Sequence, residues 1–141
     1  MAYKTRKQVR DLLKARIDTV KDDFLVYTNK FLKGKTTKSI VIESGGSVNT
    51  INSEDMRSNA YKYNIYVLDR IENFTDADTG TEFDDGLDAV QDSVDIKMQQ
   101  VLDSIHGLCY FINENSNPIQ DFTDGNNRLV GLVTEVRAEN R

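Results

Sequence analysis

The residue types best suited to nucleophilic catalysis occur together at one point in this chain. His106 and Cys109 are three positions apart, so on a helix they would share a face, as a Cys–His nucleophile pair requires. The sequence has one histidine and one cysteine, which leaves no residue of either type to complete a triad or a four-ligand zinc site. Cys109 also stands in an apolar run, which favours a buried thiol. The pattern predicts that the chain is not an enzyme.

An acidic segment around residue 80 supplies two further candidates. Asp78-Thr79-Gly80 matches the triplet of aspartic proteases, but it lies in a polar segment instead of at the end of a buried apolar strand. The carboxylates that could ligate calcium are Asp76, Asp78, Glu82, Asp84 and Asp85. An EF-hand loop counted from Asp76 needs glycine where Thr81 stands and glutamate where Leu87 stands, so only an irregular calcium site stays open. We predict no cofactor and no catalytic or metal-ligating residue.

Charge is divided unequally along the 141 residues, whose net charge is −5. Residues 1–38 hold eleven Lys/Arg against four Asp, a net charge of +7, while residues 39–141 hold seven Lys/Arg against nineteen Asp/Glu, a net charge of −12. Two interpretations stay open: ordinary surface charge that segregated, or two halves that meet opposite charge on a neighbour. The acidic total and the lack of interleaved aromatic residues predict no sequence-specific binding of nucleic acid.

Helical periodicity predicts a first helix over residues 5–21, with Thr5 as the N-cap. Its apolar face comprises Val9, Leu12, Leu13, Ile17 and Val20. Basic residues occupy the other side: Arg6, Lys7, Arg10 and Lys14. Cations in the first turn oppose the helix dipole, so the placement of charge suggests a role outside the fold.

Strands are predicted at residues 23–32 and 38–44, with a turn at 33–35 between them. Residues 45–58 are polar and weakly patterned, which predicts a long loop, with a minor strand at 47–52 as the alternative. The segment Ser44-Gly45-Gly46-Ser47 lacks the Lys-Ser/Thr ending of a phosphate loop. The strongest strand is predicted over residues 59–71, where apolar and polar side chains alternate.

A second, longer helix follows the acidic segment. Its apolar face comprises Leu87, Val90, Val94, Met98, Val101 and Ile105. Asp84 or Asp85 is the predicted cap, and Gly107 the predicted end unless residues 108–112 extend the helix. The opposite side carries an acidic stripe of Asp85, Asp88, Asp92, Asp95 and Asp103. A solvated face, a surface for a basic partner, and a lumen that repels nucleic acid all stay open.

A closing strand at residues 128–138 completes the order α-β-β-β-α-β. We therefore predict one α+β domain over residues 1–141, with an antiparallel sheet of about four strands and two helices on one face. The longest apolar run is about six residues, whereas a bilayer-spanning helix needs about 20, so no transmembrane helix is expected. The N-terminus lacks the apolar core of a secretory signal, and the lone cysteine fits a reducing compartment.

The second half of the chain resembles the small neck proteins of some tailed phages, the head–tail connectors and tail terminators. A strand that ends in Asp69-Arg70 leads through an acidic loop into an aspartate-led helix at residues 88–105. Pro118, Phe122 and the segment 127–132 then follow the family's "P-[apolar]-x-x-F … [apolar]-x-G" ending. The resemblance covers residues 60–137 well, and the first 60 residues by element order.

This resemblance implies a structural protein of the virion, assembled in the host cytoplasm. It implies a homo-oligomeric ring of about six subunits, expected to be a hexamer, that contacts neighbouring connector and tail-tube proteins while DNA passes through passively. The expected subunit interface comprises Arg6, Lys7, Arg10, Lys14, Lys33, Lys35, Val48, Ile51 and Met56. The expected acidic channel or partner face comprises Asp76, Asp78, Asp85, Asp88, Asp92 and Asp95.

A function of another class stays open on the residues alone. A small acidic adaptor for a basic protein would fit the composition, and it would be calcium-dependent if the carboxylates near residue 80 bound the ion. Such a module would be a monomer in solution, and calcium would shift its melting temperature. Neither alternative calls for a membrane or a catalytic group.

Overall fold

Two helices pack on one face of a mixed sheet in the computed structural model. The structure describes residues 4–28, 38–51, 57–71, 81–112, 117–118, 122–124 and 127–139. The elements in these ranges are α1 (Arg6–Asp18), β1 (Leu25–Thr28), β2 (Ser39–Ile51), β3 (Arg57–Ile71), α2 (Thr81–Ser104), β4 (Cys109–Ile112), β5 (Asn117–Pro118), β6 (Phe122–Asp124) and β7 (Asn127–Glu139). The predicted α+β class and the order α-β-β-β-α-β are confirmed, and three short strands lie between α2 and β7.

The sheet has the order β1-β2-β3-β7-β4, and β5 and β6 also pair with β7. β2, β3 and β7 are long and antiparallel to one another. β1 is parallel to β2, with Leu25 opposite Ser39, so the prediction of a purely antiparallel sheet is wrong at this edge. The prediction assumed a hairpin turn after a strand that reached residue 32. Residues 29–37, which include the predicted turn, lie outside the described residues. Over the described part, Leu25–Thr28 runs in the same direction as the start of β2.

The core lies between the helices and one face of the sheet. α1 contributes Val9, Leu13 and Ile17, which are buried as their spacing predicts. β3 contributes the alternating residues Tyr63, Ile65 and Val67. The remaining core residues come from the neighbouring elements: Phe24, Ile40, Ile42, Val94, Met98, Val101, Ile105, Val136 and Ala138. One apolar cluster therefore joins both helices to β2, β3 and β7.

Burial extends to the opposite face of the sheet, where the sequence predicts solvent exposure. Val41 and Leu68 are both fully buried. Tyr66 is the cross-strand neighbour of Val41, and its hydroxyl donates to Glu43 Oε1 at 3.2 Å. Cross-strand aromatic residues of this kind cover the side chains opposite them. Burial on this face is thus greater than strand alternation alone predicts.

The predicted loop at residues 45–58 is wrong over 45–51 and 57–58, which are strand, and the alternative of a strand from residue 47 is confirmed as far as Ile51; residues 52–56 lie outside the described residues. β2 continues to Ile51 and β3 begins at Arg57, and the two stay paired over this length. The ladder is interrupted once, by a register shift between Ser44 and Gly46, where Gly46 has a left-handed φ of 102°. This segment lacks hydrophobic alternation and still forms strands, because backbone hydrogen bonds to a partner strand need no apolar side chains.

The sequence predicts the start of α1 correctly and the start of α2 incorrectly. Thr5 caps α1 as predicted, through a capping box with Gln8. α2 begins at Thr81, before the predicted caps, and ends at Ser104. Gly107 follows with a left-handed φ of 96°, and Cys109–Ile112 forms β4 beside β7 instead of extending the helix. Residues 109–112 form a strand because their backbone pairs with the edge of β7.

Candidate interaction surfaces

Two tyrosine hydroxyls of β3 hold the start of α1 in place. Tyr61 donates to the carbonyl oxygen of Lys4 at 3.0 Å, and Tyr63 donates to that of Arg6 at 3.1 Å. Burial raises the pKa of Tyr63, so this hydroxyl keeps its proton well beyond neutral pH. The Arg6 guanidinium lies 5.0 Å from the centroid of the Tyr61 ring, within cation–π range. These contacts orient α1, and with it the charged side of the helix.

The charged side of α1 carries a basic flank, which we define as Lys7, Arg10 and Lys14. At 100° per residue these three positions fall within about 60° of arc around the helix. Lys7 forms an ion pair of 3.6 Å with Asp11, and Lys14 forms one of 3.0 Å with Asp18. The first pair is exposed and the second is half-buried, and both keep contact with solvent, so each contributes at most about 1 kcal/mol and a better partner can replace it. The flank thus stays available to an external acidic surface.

Leu12 is the exception on the predicted apolar face of α1, because 39% of it is exposed. It lies beside an open depression of about 390 Å³, lined by Lys4, Gln8, Asp11 and Leu12. A single exposed leucine is common on protein surfaces and does not by itself make a binding site.

The exposed side of α2 carries an acidic flank, which we define as Asp88, Asp92 and Asp95. All three residues are exposed, and so is Asp103, about two turns after Asp95. Lys97 is the one cation of α2, and its side chain is buried on another side of the helix. Nothing on α2 itself therefore neutralises the acidic flank. Ile96, which is 59% exposed, lies next to Asp92 on the outer surface.

The remaining predicted interface residues divide into two groups. Val48 and Ile51 lie on β2, and Asp85 lies on α2. The others lie outside the residues that the structure describes: Lys33, Lys35, Met56, Asp76 and Asp78. The structure thus brings Lys7, Arg10 and Lys14 together on one helix and Asp88, Asp92 and Asp95 together on the other.

Lys97 is an important residue that the sequence reasoning missed. Its side chain is 7% exposed, and its Nζ donates to the carbonyl oxygen of Val20 at 2.6 Å, to Asp22 Oδ2 at 2.6 Å and to Gln100 Oε1 at 2.8 Å. The same Nζ lies 5.4 Å from the centroid of the Phe24 ring. Asp22 adopts a left-handed φ of 50°. A lysine three residues after the core residue Val94 was the available signal, since that spacing places it beside the apolar face.

The candidate nucleophile pair does not have the chemistry that its sequence spacing suggests. His106 and Cys109 follow α2 and are joined by an isolated β-bridge instead of sharing a helical face. Burial raises the pKa of the Cys109 thiol to about 12, whereas a nucleophile requires the thiolate. Cys109 is therefore a protonated thiol at neutral pH.

The carboxylates near residue 80 do not form a calcium loop over the part that the structure describes. Glu82, Asp84 and Asp85 belong to α2, whereas Asp76 and Asp78 lie outside the described residues. No group of three or more Cys, His, Asp or Glu in the described ranges is placed to hold a metal ion.

Neither of the helices described above has the length and apolar character needed to cross a membrane.

No protein-family model and no curated protein sequence matches this chain. The features of the structure that bear on function are the basic flank, the acidic flank and the paired extension of β2 and β3.

Proposed function

We propose that this chain is a structural subunit of a phage neck. About six copies form a ring that joins the capsid connector to the tail or terminates the tail tube, and DNA passes through it without sequence-specific contact. The resemblance of residues 60–137 to small neck proteins supplies this class of function. The protonated Cys109 thiol agrees with a role that needs no catalysis.

The observation that carries the proposal is a two-stranded arm at one end of the sheet. Among the residues that the structure describes, β7 pairs with β3 as far as Ala60, opposite Glu139. β2 and β3 stay paired beyond that point, to Ile51 opposite Arg57. An isolated two-stranded ribbon is at best marginally stable in water, so contact with another subunit or another layer would stabilise this arm. Such an arm is a surface that assembly with another subunit would cover.

The distribution of charge supports the same proposal. A closed ring requires a heterologous interface, in which one surface of a subunit meets a different surface of its neighbour. The basic flank of α1 and the acidic flank of α2 are two such surfaces, and neither contributes to the apolar core. Complementary charge steers association and sets orientation.

The test is to locate the chain in particles of the phage that encodes it. We expect an antibody or a fused tag to label the head–tail junction in electron micrographs, and particles lacking the chain to show capsids and tails unjoined or tails of abnormal length. A matched variant in which a short turn replaces residues 50–58 should fold, as judged by circular dichroism, and fail to enter particles.

A different result would favour the adaptor alternative. If the chain were absent from particles, and calcium raised its melting temperature while it stayed monomeric, the neck proposal would be wrong.

A further inference from the structure

The two helices run antiparallel across the sheet. Lys4, before α1, accepts a hydrogen bond from Tyr61. Tyr61 pairs with Ala138, which pairs in turn with Cys109, five residues after the end of α2. The start of α1 and the end of α2 are therefore at the same end of the sheet. At the other end of α1, the carbonyl oxygen of Val20 meets Lys97, two turns before α2 ends.

The charged flanks have equivalent positions on the two helices. On α1, the basic flank lies about 60–120° around the helix from the centre of the buried side chains, in the direction of increasing residue number. On α2, the acidic flank lies about 90–150° from the buried side chains in the same sense. For two antiparallel helices on one sheet, the same rotation leads to opposite sides, so the two flanks point in opposite directions.

Lys97 shows which way each flank points. It lies about 160–180° around α2 from Asp95 and Asp88, and its Nζ reaches the carbonyl oxygen of Val20 just after α1. This side of α2 therefore faces α1, and the acidic flank faces away from it. By the same geometry, the basic flank of α1 faces away from α2.

The sheet gives the same arrangement independently. α1 packs over β1, at one edge of the sheet, whereas α2 packs over β3 and β7 towards the other edge. The basic flank thus belongs to the β1 side of the molecule, and the acidic flank belongs to the β4 side. The two surfaces cannot meet within one chain.

We infer that the basic flank of one subunit docks on the acidic flank of α2 in a second copy of this chain. Each subunit presents the basic flank at one edge of its helix layer and the acidic flank at the opposite edge. The contact is therefore head-to-tail, and it can repeat around a ring. The inference rests on the proposed function for the ring, and it assigns Asp88, Asp92 and Asp95 to a subunit interface instead of to a DNA channel. Opposite charges at a solvent-accessible surface supply orientation and a fast encounter, and salt weakens their attraction.

The experiment uses two charge-reversed forms of the full chain. The first carries Lys7→Glu, Arg10→Glu and Lys14→Glu, and the second carries Asp88→Lys, Asp92→Lys and Asp95→Lys. By native mass spectrometry and sedimentation velocity, we expect the wild type to assemble at low salt and each reversed form to stay monomeric. An equimolar mixture should assemble again into rings with equal numbers of the two forms.

A chain that carries all six substitutions separates the specific contact from net charge, because its net charge equals that of the wild type. We expect it to assemble with itself and to be excluded from wild-type rings. Arg16→Glu and Asp23→Lys, at exposed positions outside the flanks, are the matched single controls and should leave assembly unchanged. Circular dichroism should show that every variant is folded.

Two results would overturn the inference, and they differ in what they say of the ring. Reversed forms that assemble as well as the wild type would rule out this interface and leave the neck proposal standing. A wild-type chain that stays monomeric at millimolar concentration and low salt would rule out the self-contact itself. The particle-labelling result then decides separately whether the chain is a neck protein.

Discussion

At the scale of single residues, Lys97 contributes most to holding the elements together. Its ammonium group joins α2 to the turn after α1, across a separation of 75 residues to Asp22. Exposed ion pairs contribute little, and Asp22 is 72% exposed, so we attribute the effect chiefly to the buried lysine and its hydrogen bonds. A buried cation that loses its partners is costly, and so are partners that lose their donor.

Lys97→Met keeps the apolar stem of the side chain and removes all three hydrogen bonds of Nζ. We expect the free energy of unfolding to fall by about 1–3 kcal/mol, measured by urea denaturation and circular dichroism. Gln91→Met, at an exposed position of the same helix, is the control and should change stability by at most about 0.5 kcal/mol. Equal effects of the two substitutions would contradict the role assigned to Lys97.

Cys109 provides a second test at this scale, through its reactivity. Its raised pKa of about 12 leaves a very small fraction of thiolate at pH 8. The greater nucleophilicity of a more basic thiolate offsets only part of this loss. We expect iodoacetamide to label the native chain at least about tenfold more slowly than the urea-unfolded chain at pH 8. Similar rates in the two states would show that the thiol is not buried and that its pKa is not raised.

At the scale of elements, the extension of β2 is the feature that most changes the expected surface. The strand passes through a register shift and continues as one side of the two-stranded arm. Gly46 lies at this shift with a φ of 102°, a conformation that glycine adopts far more readily than other residues. The direction of the arm therefore depends on a conformation at one glycine.

Gly46→Ala should destabilise the chain by more than about 1 kcal/mol, since alanine is strained at this φ although nothing lies near its Cβ. The neighbouring Gly45→Ala is the matched control. Its Cβ would meet the Lys62 Cβ at 3.4 Å, which is an ordinary contact, and its φ is not left-handed. Urea midpoints compare the two variants, and a Gly45→Ala loss as large as that of Gly46→Ala would show that strain at φ is not the cause.

At the scale of the whole molecule, the free energy of unfolding should vary with pH in the alkaline range, because three groups are held in their protonated form. Burial raises the pKa of Cys109 from 9.0 to about 12 and also raises the pKa values of Tyr63 and Tyr66 above 10.0. For such groups the contribution to stability is fully present below the unfolded pKa and is lost as pH rises through the folded pKa. Stability should therefore be flat up to about pH 9 and fall above it.

Urea midpoints measured between pH 7 and pH 11 test this dependence. A chain with Cys109→Ala and Tyr63→Phe should show a shallower decline above pH 9, even though both substitutions lower stability at neutral pH. Tyr66→Phe should have a smaller effect on the slope, because Tyr66 is only partly buried. A decline of the same steepness in the double variant would assign it to other groups.

The sequence by itself determined the features that depend on neighbouring residues. The alternation Tyr63, Ile65, Val67 marked one face of β3, and the spacing Val9, Leu13, Ile17 marked the buried face of α1, because strand and helix geometry repeat over a few residues. Thr5 was identifiable as a cap for the same reason. The separation of basic and acidic charge was also visible, since it is a property of composition.

Only the tertiary structure decided how distant segments meet. It showed β1 parallel to β2, the arm formed by residues 49–51 and 57–59, the place of Cys109 in β4 and the role of Lys97, each of which depends on contacts between residues far apart in the chain. It also showed that the two charged flanks point in opposite directions. The chain order of the charges is the same in any fold, but their directions follow from antiparallel helices laid on one sheet, which no local pattern encodes.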